Sequence, residues 1–229
     1  MDRRFLGILA AVVIVLVGVF AISQHSSNKS SGSGNSSGQA SYHVRGADST
    51  GVKLQEYGDY ECPVCGIYYS TVNQVYDQFS KQILFQFSNL PLSQIHPNAF
   101  AAARAAEAAG LQGKYWQMHD QLYTNQDPTG ASGWVASSNP LDNYFVKYAQ
   151  TIGLDITKFK TDYASDQVNS VINADVAAFS KTGQQEATPS FFLDGKYIPN
   201  SVLVDSSNRP SAEKFAAVIN AEIAKKQKQ

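Results

Sequence analysis

Hydrophobic and polar positions early in the chain follow first a strand pattern and then a helix pattern. Residues 52–57 predict a strand, and residues 59–61 predict the turn that leaves it. A helix is predicted from Pro63, because apolar residues then recur at helical spacing. These apolar residues are Val64, Tyr68, Val72, Val75 and Phe79. Residues 83–87 alternate and predict a second strand, so this region predicts a β-α-β unit and an α/β fold.

A long helical region follows these strands. Apolar spacing predicts helices over residues 98–110, 114–123, 141–152, 156–163 and 165–181. Ser190–Leu193 and Lys196–Ile198 predict a hairpin, because the Asp194-Gly195 pair between them favours a two-residue turn. A last amphipathic helix follows and includes Phe215. The sequence therefore predicts an α/β core with a helical insertion at about residues 97–183.

The first residues predict the location of the protein. Residues 5–22 carry no charged or polar side chain and follow Arg3 and Arg4. As a helix this run spans roughly 27 Å, close to the thickness of the hydrocarbon core. We expect a single-pass anchor in the cell membrane, with residues 1–4 in the cytoplasm. A cleaved signal peptide is the alternative, because Ala21-Ile22-Ser23 is a weak cleavage site. Both readings place the rest of the chain outside the cytoplasm.

The segment after the apolar run predicts a tether and then a folded domain. Residues 23–41 consist mainly of Ser, Gly and Asn, a composition typical of a flexible linker. The folded domain is expected at residues 42–229. With 12 Phe and 12 Tyr it has the side chains for a real core. The formal net charge of −1 gives no electrostatic reason to expect a nucleic-acid partner.

The two cysteines of the chain, Cys62 and Cys65, point to redox chemistry. A disulfide between them closes too short a loop to stabilise a fold appreciably. Pro63 suits the first position of a helix, which places Cys62 at the N-cap. There its thiolate can accept hydrogen bonds from the N–H groups of Val64 and Cys65, next to the positive end of the helix dipole. We therefore expect Cys62 to be the nucleophile and Cys65 the resolving thiol.

Two further positions are left open by spacing alone. Glu56, on the strand before Cys62, either points inward, where its charge would oppose the thiolate and its carboxyl could relay a proton, or faces solvent. Thr188-Pro189 precedes a predicted strand, and few X–Pro bonds are cis.

The motifs together resemble the DsbA-like, thioredoxin-fold oxidoreductases. The first motif is Glu56-Tyr-Gly-Asp-Tyr-Glu-Cys-Pro-Val-Cys. Later motifs follow in order between residues 54 and 198: Asn89-Leu-Pro-Leu, His96-Pro-Asn-Ala, Ala105-Ala-Glu-Ala-Ala-Gly, Gly113-Lys-Tyr-Trp-Gln-Met-His-Asp and Ala187-Thr-Pro-Ser-Phe-Phe-Leu-Asp-Gly-Lys. The resemblance implies a thioredoxin-like fold, with Cys62 attacking and Cys65 as its partner.

The resemblance also implies roles for the residues around the cysteines. Pro189 would be a cis-proline facing the disulfide, Thr188 would offer its backbone to an extended substrate peptide, and Glu56 would be the buried acid. Pro63 and Val64 are expected to contact substrate as well. Strongly oxidising members of the family resemble one another in having His where this chain has Val64. The chain therefore lacks that charge between its cysteines, and Glu61 adds a negative one.

The predicted function is a membrane-anchored thiol–disulfide oxidoreductase that introduces disulfides into exported proteins and is reoxidised by a membrane redox partner. A reductase or isomerase with the same site stays open, as does a thiol-based metal carrier. No nucleotide-binding motif is present in the sequence, and no cofactor is expected. His96 is expected to shape a helix start, His119 to pack on a helix face, and the Gly130–Trp134 segment to be a structural loop rather than part of a substrate groove.

Overall fold

The structure is a computed structural model that describes residues 39–228. The predicted anchor at residues 5–22 and most of the predicted tether lie outside the described residues. Within residues 39–228, no helix has the length and apolar character needed to cross a membrane.

The described residues form five strands and seven α-helices. The strands are β1 (His43–Gly46), β2 (Lys53–Gly58), β3 (Leu84–Asn89), β4 (Ser190–Leu193) and β5 (Lys196–Ile198). The helices are α1 (Pro63–Phe79), α2 (Ala99–Gly110), α3 (Tyr115–Thr124), α4 (Val146–Thr151), α5 (Ile156–Tyr163), α6 (Asp166–Ser180) and α7 (Ala212–Lys226). A π-helical turn, Leu141–Phe145, runs into α4, and a 3-10 turn, Asn200–Val202, follows β5.

The strands form one sheet in the order β1-β3-β2-β4-β5. Strands β2 and β3 are parallel, as expected for a β-α-β unit, and the other neighbouring pairs are antiparallel. Tyr57 near the end of β2 pairs with Ser190 at the start of β4. This register brings the turn after β2, which carries Cys62, next to the Thr188-Pro189 segment that precedes β4.

Hydrophobic residues cover both faces of the sheet. The larger core packs side chains of α1, α3 and α7 against one face, where Leu54 of β2 lies. Glu56, two residues along the same strand, shares that face because strand side chains alternate. Tyr57 points to the other face, where it packs against Phe179 of α6 and Phe192 of β4. The predicted α/β core is therefore present.

The helical region between β3 and β4 packs around α2. Most residues of α2 are alanine, and the helix contacts α3, α5 and α6. Small side chains let neighbouring helices approach closely, so α2 is buried despite its short side chains. All five predicted helices of this region are present, although the segment predicted as 141–152 begins as a π-helical turn.

Helix α1 follows the predicted apolar pattern with one exception. Tyr68, Val72, Val75 and Phe79 are buried. Val64, which the same pattern assigned to the buried face, is 45% exposed. Val64 lies in the first turn beside Cys62, ahead of the part of the helix that covers the sheet, and Cys65 contributes to the core instead.

The sequence predicted one edge of the sheet, the β4–β5 hairpin, but not the other edge, strand β1. Asp194 and Gly195 both have positive φ, 48° and 77°, which the two-residue turn of the predicted β4–β5 hairpin requires. Strand β1, in contrast, was not predicted. It is only four residues long and is defined by its pairing with β3, about forty residues away.

Candidate active site

The turn between β2 and α1 places Cys62 directly before the helix. Asp59 holds this turn: its Oδ1 accepts the Glu61 N–H at 2.8 Å and its carbonyl accepts the Cys62 N–H at 3.2 Å. Cys62 has an extended backbone conformation, and Pro63 is the first helical residue. Cys62 therefore occupies the N-cap, the position that the sequence predicted for it.

The two cysteines have opposite environments. Both are free thiols; Cys65 is fully buried and Cys62 is 6% exposed. The pKa of Cys62 is lowered to about 6, first by a hydrogen bond from the Cys65 side chain and then by Thr188 and by the N–H groups of Cys65 and Val64, against the opposing effect of burial. Burial, followed by the contact with Cys62, raises the pKa of Cys65 well above its ordinary value. At neutral pH Cys62 is thus mainly a thiolate, and Cys65 is its proton-bearing neighbour.

The Thr188–Pro189 peptide bond, which faces the cysteines, is cis. The protonated Cys62 thiol donates to the Thr188 carbonyl over 3.5 Å. As a thiol, the Cys62 side chain makes no cap hydrogen bond with the helix. The Thr188 hydroxyl is buried and has no partner among the described residues, so it is free to donate to the thiolate. Ser190 and Asn200 fix the segment by donating to the carbonyls of Ala187 at 2.7 Å and of Pro189 at 2.9 Å.

Glu56 is buried beneath the site, with 3% of its surface exposed. Burial raises its pKa to about 8; the Cys62 thiolate adds to this rise, and Arg45 opposes it. The carboxyl is therefore mostly protonated at neutral pH, so it does not carry the full charge that would oppose the thiolate. The charged form of Glu56 is also one of the smaller effects that raise the pKa of Cys65.

Gln126, in the loop after α3, contacts the backbone of the active-site turn and was not predicted. Its amide donates to the carbonyl oxygens of Tyr60 at 2.6 Å and Cys62 at 3.0 Å. Gly66 provides the room, because a Cβ at that position would lie 2.0 Å from the Gln126 Oε1 atom. No local pattern signals this contact, since the two partners are about sixty residues apart.

His96 also contacts the active-site turn. Its carbonyl accepts the Ala99 N–H at 3.2 Å, which agrees with the expected role at the start of α2. Its ring, however, hydrogen-bonds through Nδ1 to Asp59 Oδ2 at 2.6 Å. The His96-Pro-Asn-Ala motif was the only sequence signal for this residue, and it did not indicate the partner.

A cleft of about 800 Å³ lies beside the N-terminus of α1. It is lined by Glu61 and Pro63, by residues 95–98, and by residues 127–130 and 135–138. Val64, predicted to contact substrate, lies on the exposed surface next to Pro63. The cleft therefore borders the residues on both sides of Cys62.

Two other aromatic candidates have packing roles. His119 is 3% exposed, and burial lowers its pKa. Trp134 is fully buried and donates from Nε1 to the Leu122 carbonyl at 3.1 Å, which agrees with a structural role for this residue of the Gly130–Trp134 loop. Among the described residues, no group of three or more His, Cys, Asp or Glu side chains is arranged to hold a metal ion.

Comparison with protein families matches residues 39–221 to the family model described as Thioredoxin. Solved structures share the fold. BdbD from Bacillus subtilis gives a TM-score of 0.65 at 23% identity, covering 82% of this chain and 97% of that one. A thioredoxin-like oxidoreductase from Silicibacter pomeroyi gives 0.59 at 24% identity, covering 79% and 91%.

The curated relatives are named as antiporters and not as thioredoxins. The chain is 37% identical over 157 residues to "Na(+)/H(+) antiporter NhaA 1" from Mycolicibacterium gilvum, which covers 67% of this chain and 23% of the relative. A protein of the same name from Salinispora arenicola is 33% identical, with 76% and 25% covered. The chain spans about a quarter of the length of these relatives, so the antiporter name describes proteins that are mostly outside the match.

The buried acid leads to a prediction about stability and pH. The pKa of Glu56 rises from 4.5 to about 8 in the folded protein. A raised folded-state pKa contributes stability that is complete below pH 4.5 and is lost as the pH rises towards 8. Between pH 4.5 and 8, the Glu56→Gln variant should therefore lose a few kcal/mol less unfolding free energy than the parent protein. One pKa unit corresponds to about 1.4 kcal/mol.

Urea denaturation of the reduced protein at a series of pH values measures this effect. Glu186→Gln is the matched control, because Glu186 is exposed and its replacement should leave the profile unchanged. Parallel profiles for the parent and Glu56→Gln would contradict the assignment of Glu56 as a buried, protonated acid.

Proposed function

The chain belongs to the thioredoxin family and has the DsbA-like fold of thiol–disulfide oxidoreductases, and from this premise we propose that it oxidises thiols of exported proteins through Cys62 and Cys65. The family and the enzyme class were predicted from the sequence and are confirmed. The direction of the reaction, the location and the partners are the proposal.

The single observation that carries the proposal is the difference between the two thiols. The pKa of Cys62 is lowered to about 6, whereas that of Cys65 is raised. A stabilised thiolate favours the dithiol state over the disulfide, and a disulfide whose reduced form is stabilised is a stronger oxidant. This supports the oxidising direction, even though Val64 contributes no charge.

The reaction is a two-step exchange. A substrate thiolate attacks the Cys62 sulfur of the Cys62–Cys65 disulfide; the S–S bond breaks, Cys65 leaves and takes up a proton, and Cys62 is joined to the substrate. A second substrate thiolate then attacks the substrate sulfur of this mixed disulfide and releases Cys62 as a thiolate. Two electrons pass from the substrate to the enzyme, and the substrate gains a disulfide.

The neighbouring residues suit these steps. The Thr188 carbonyl lies 3.5 Å from the Cys62 sulfur, where an extended substrate peptide would pair with the backbone before the cis Pro189. Val64 and Pro63 border the same surface and would contact the substrate chain. Glu56, buried and with a raised pKa, would exchange a proton with Cys65 when that thiol leaves and returns.

Thiol exchange should depend differently on the two cysteines. We expect Cys62→Ser to abolish oxidation of a reduced unfolded protein, because the Cys62–Cys65 disulfide that the substrate attacks can no longer form. Cys65→Ser should instead accumulate mixed disulfides when its Cys62 thiolate attacks a disulfide-bonded substrate, since no Cys65 thiol is left to attack Cys62 and release the substrate. Gel shifts under non-reducing conditions and intact mass measure both outcomes. A Cys62→Ser variant with full exchange activity would refute the proposal.

We also propose that residues 5–22 anchor the enzyme in the cell membrane, with residues 1–4 in the cytoplasm and the domain from residue 42 outside. The uncharged run in the sequence and the arginines before it support this. Residues 23–41 would let the domain reach both its exported substrates and a membrane protein that reoxidises Cys62 and Cys65.

The anchor is tested by cell fractionation. The full chain should remain with membranes after high-salt washing and should be cleaved by protease added outside the cytoplasmic membrane. A chain that begins at residue 42 behind a cleavable export signal should be released in soluble form. If expression of the full chain yields a soluble product shortened near residue 22, the cleaved signal peptide is favoured.

A further inference from the structure

The charges nearest to Cys62 in the sequence do not favour its thiolate. Val64 is uncharged, and Glu61 directly precedes the cysteine. The Glu61 carboxylate is engaged elsewhere, because its Oε2 accepts the Asn98 N–H at the start of α2 at 2.5 Å. It remains a negative group near the sulfur. Any favourable positive charge near the sulfur therefore comes from another part of the fold.

Asp59 holds a histidine beside this turn. Its Oδ2 accepts the Leu92 N–H at 2.9 Å and contacts His96 Nδ1 at 2.6 Å, and its side chain is fully buried. An ionised carboxylate only accepts hydrogen bonds, so Nδ1 of His96 carries a proton. The ring is thus fixed in orientation, and protonation at its other nitrogen gives a cation that the buried carboxylate stabilises.

His96 and Cys62 are both hydrogen-bonded to Asp59. Asp59, which holds the ring, also accepts the Cys62 N–H, and His96 lines the same cleft as Glu61 and Pro63, the two neighbours of Cys62. The pKa of His96 is raised, first by the hydrogen bond to Asp59 and then by the negative charges of Asp59, Cys62 and Glu61, against the effect of burial.

We propose that His96, held by Asp59, is a positioning residue whose imidazolium stabilises the Cys62 thiolate and so supplies the charge that is missing between the two cysteines. This inference rests on the proposed function, because it concerns the thiolate that leaves in the exchange. No bond to His96 forms or breaks. The hydrogen bond from Cys65 is the largest of the effects that lower the Cys62 pKa.

The remaining charged groups near the ring are acidic. Glu61 and Asp127, the latter in the loop after α3, line the same cleft as His96. No lysine or arginine lines the cleft. His96 is thus the one basic side chain among the residues that line it.

The test is the Cys62 pKa in a His96→Gln variant of the full chain. Glutamine keeps a donor for Asp59 but carries no charge. The pKa should rise by roughly 0.5–1 unit, the lower end of the effect of a nearby opposite charge. Alkylation rates over a pH series, with mass analysis to identify Cys62, provide the value. Ser138→Ala, an exposed change in the same cleft, should leave the pKa unchanged.

A second measurement uses the unmutated protein and does not depend on how the variant folds. Because the interaction is reciprocal, the pKa of His96, followed by its ring resonances, should fall when the Cys62–Cys65 disulfide forms and the thiolate is lost. A merely structural histidine would titrate alike in both redox states.

The inference is overturned if the His96 titration is the same in both states, or if His96→Gln leaves the Cys62 pKa unchanged. Its failure is distinguishable from that of the proposed function. If the parent protein exchanges disulfides but the His96 titration does not depend on the redox state of Cys62, only the inference is refuted. If the parent protein has no exchange activity, the proposed function is refuted.

Discussion

The buried Asp59 side chain is the contact on which the site depends. Its oxygens accept the N–H groups of Glu61 and Leu92 and the His96 ring, and its carbonyl accepts the Cys62 N–H. A buried carboxylate with several donors is stable, but the same group with its partners removed is costly. These bonds hold the β2–α1 turn in one conformation and join it to the segment that leads into α2.

The chemistry follows from where that turn holds the sulfur. At the start of α1, Cys62 is close to helix N–H groups, to the Cys65 thiol and to Thr188, all of which favour its ionised form. For Cys65, one turn further along, a backbone hydrogen bond with Asp59 offsets burial only in small part. Two cysteines separated by two residues therefore acquire opposite proton affinities, which is what a nucleophile and a resolving thiol require. The sheet register completes the arrangement by placing the end of β2 beside the start of β4.

The sequence predicted the features that local chemistry determines. Pro63 indicated the helix start, Asp194-Gly195 indicated the hairpin, and the cysteine spacing indicated the reactive pair. Local patterns were not sufficient for β1, whose existence depends on pairing with a distant strand, or for the partners of His96 and Gln126. Val64 was assigned to the buried face because helical periodicity does not show where the helix begins to cover the sheet. Resemblance, rather than spacing, indicated the cis bond before Pro189.

The reduction potential of the Cys62–Cys65 pair tests the central claim most directly. The domain from residue 42 to the C-terminus would be equilibrated in glutathione buffers of graded composition, and its thiols trapped and counted by mass. The account predicts a potential towards the oxidising end, closer to about −120 mV than to about −270 mV. A value near about −270 mV would contradict the oxidising role and would indicate a reductase. Failure to form the disulfide in any buffer would contradict the redox function itself.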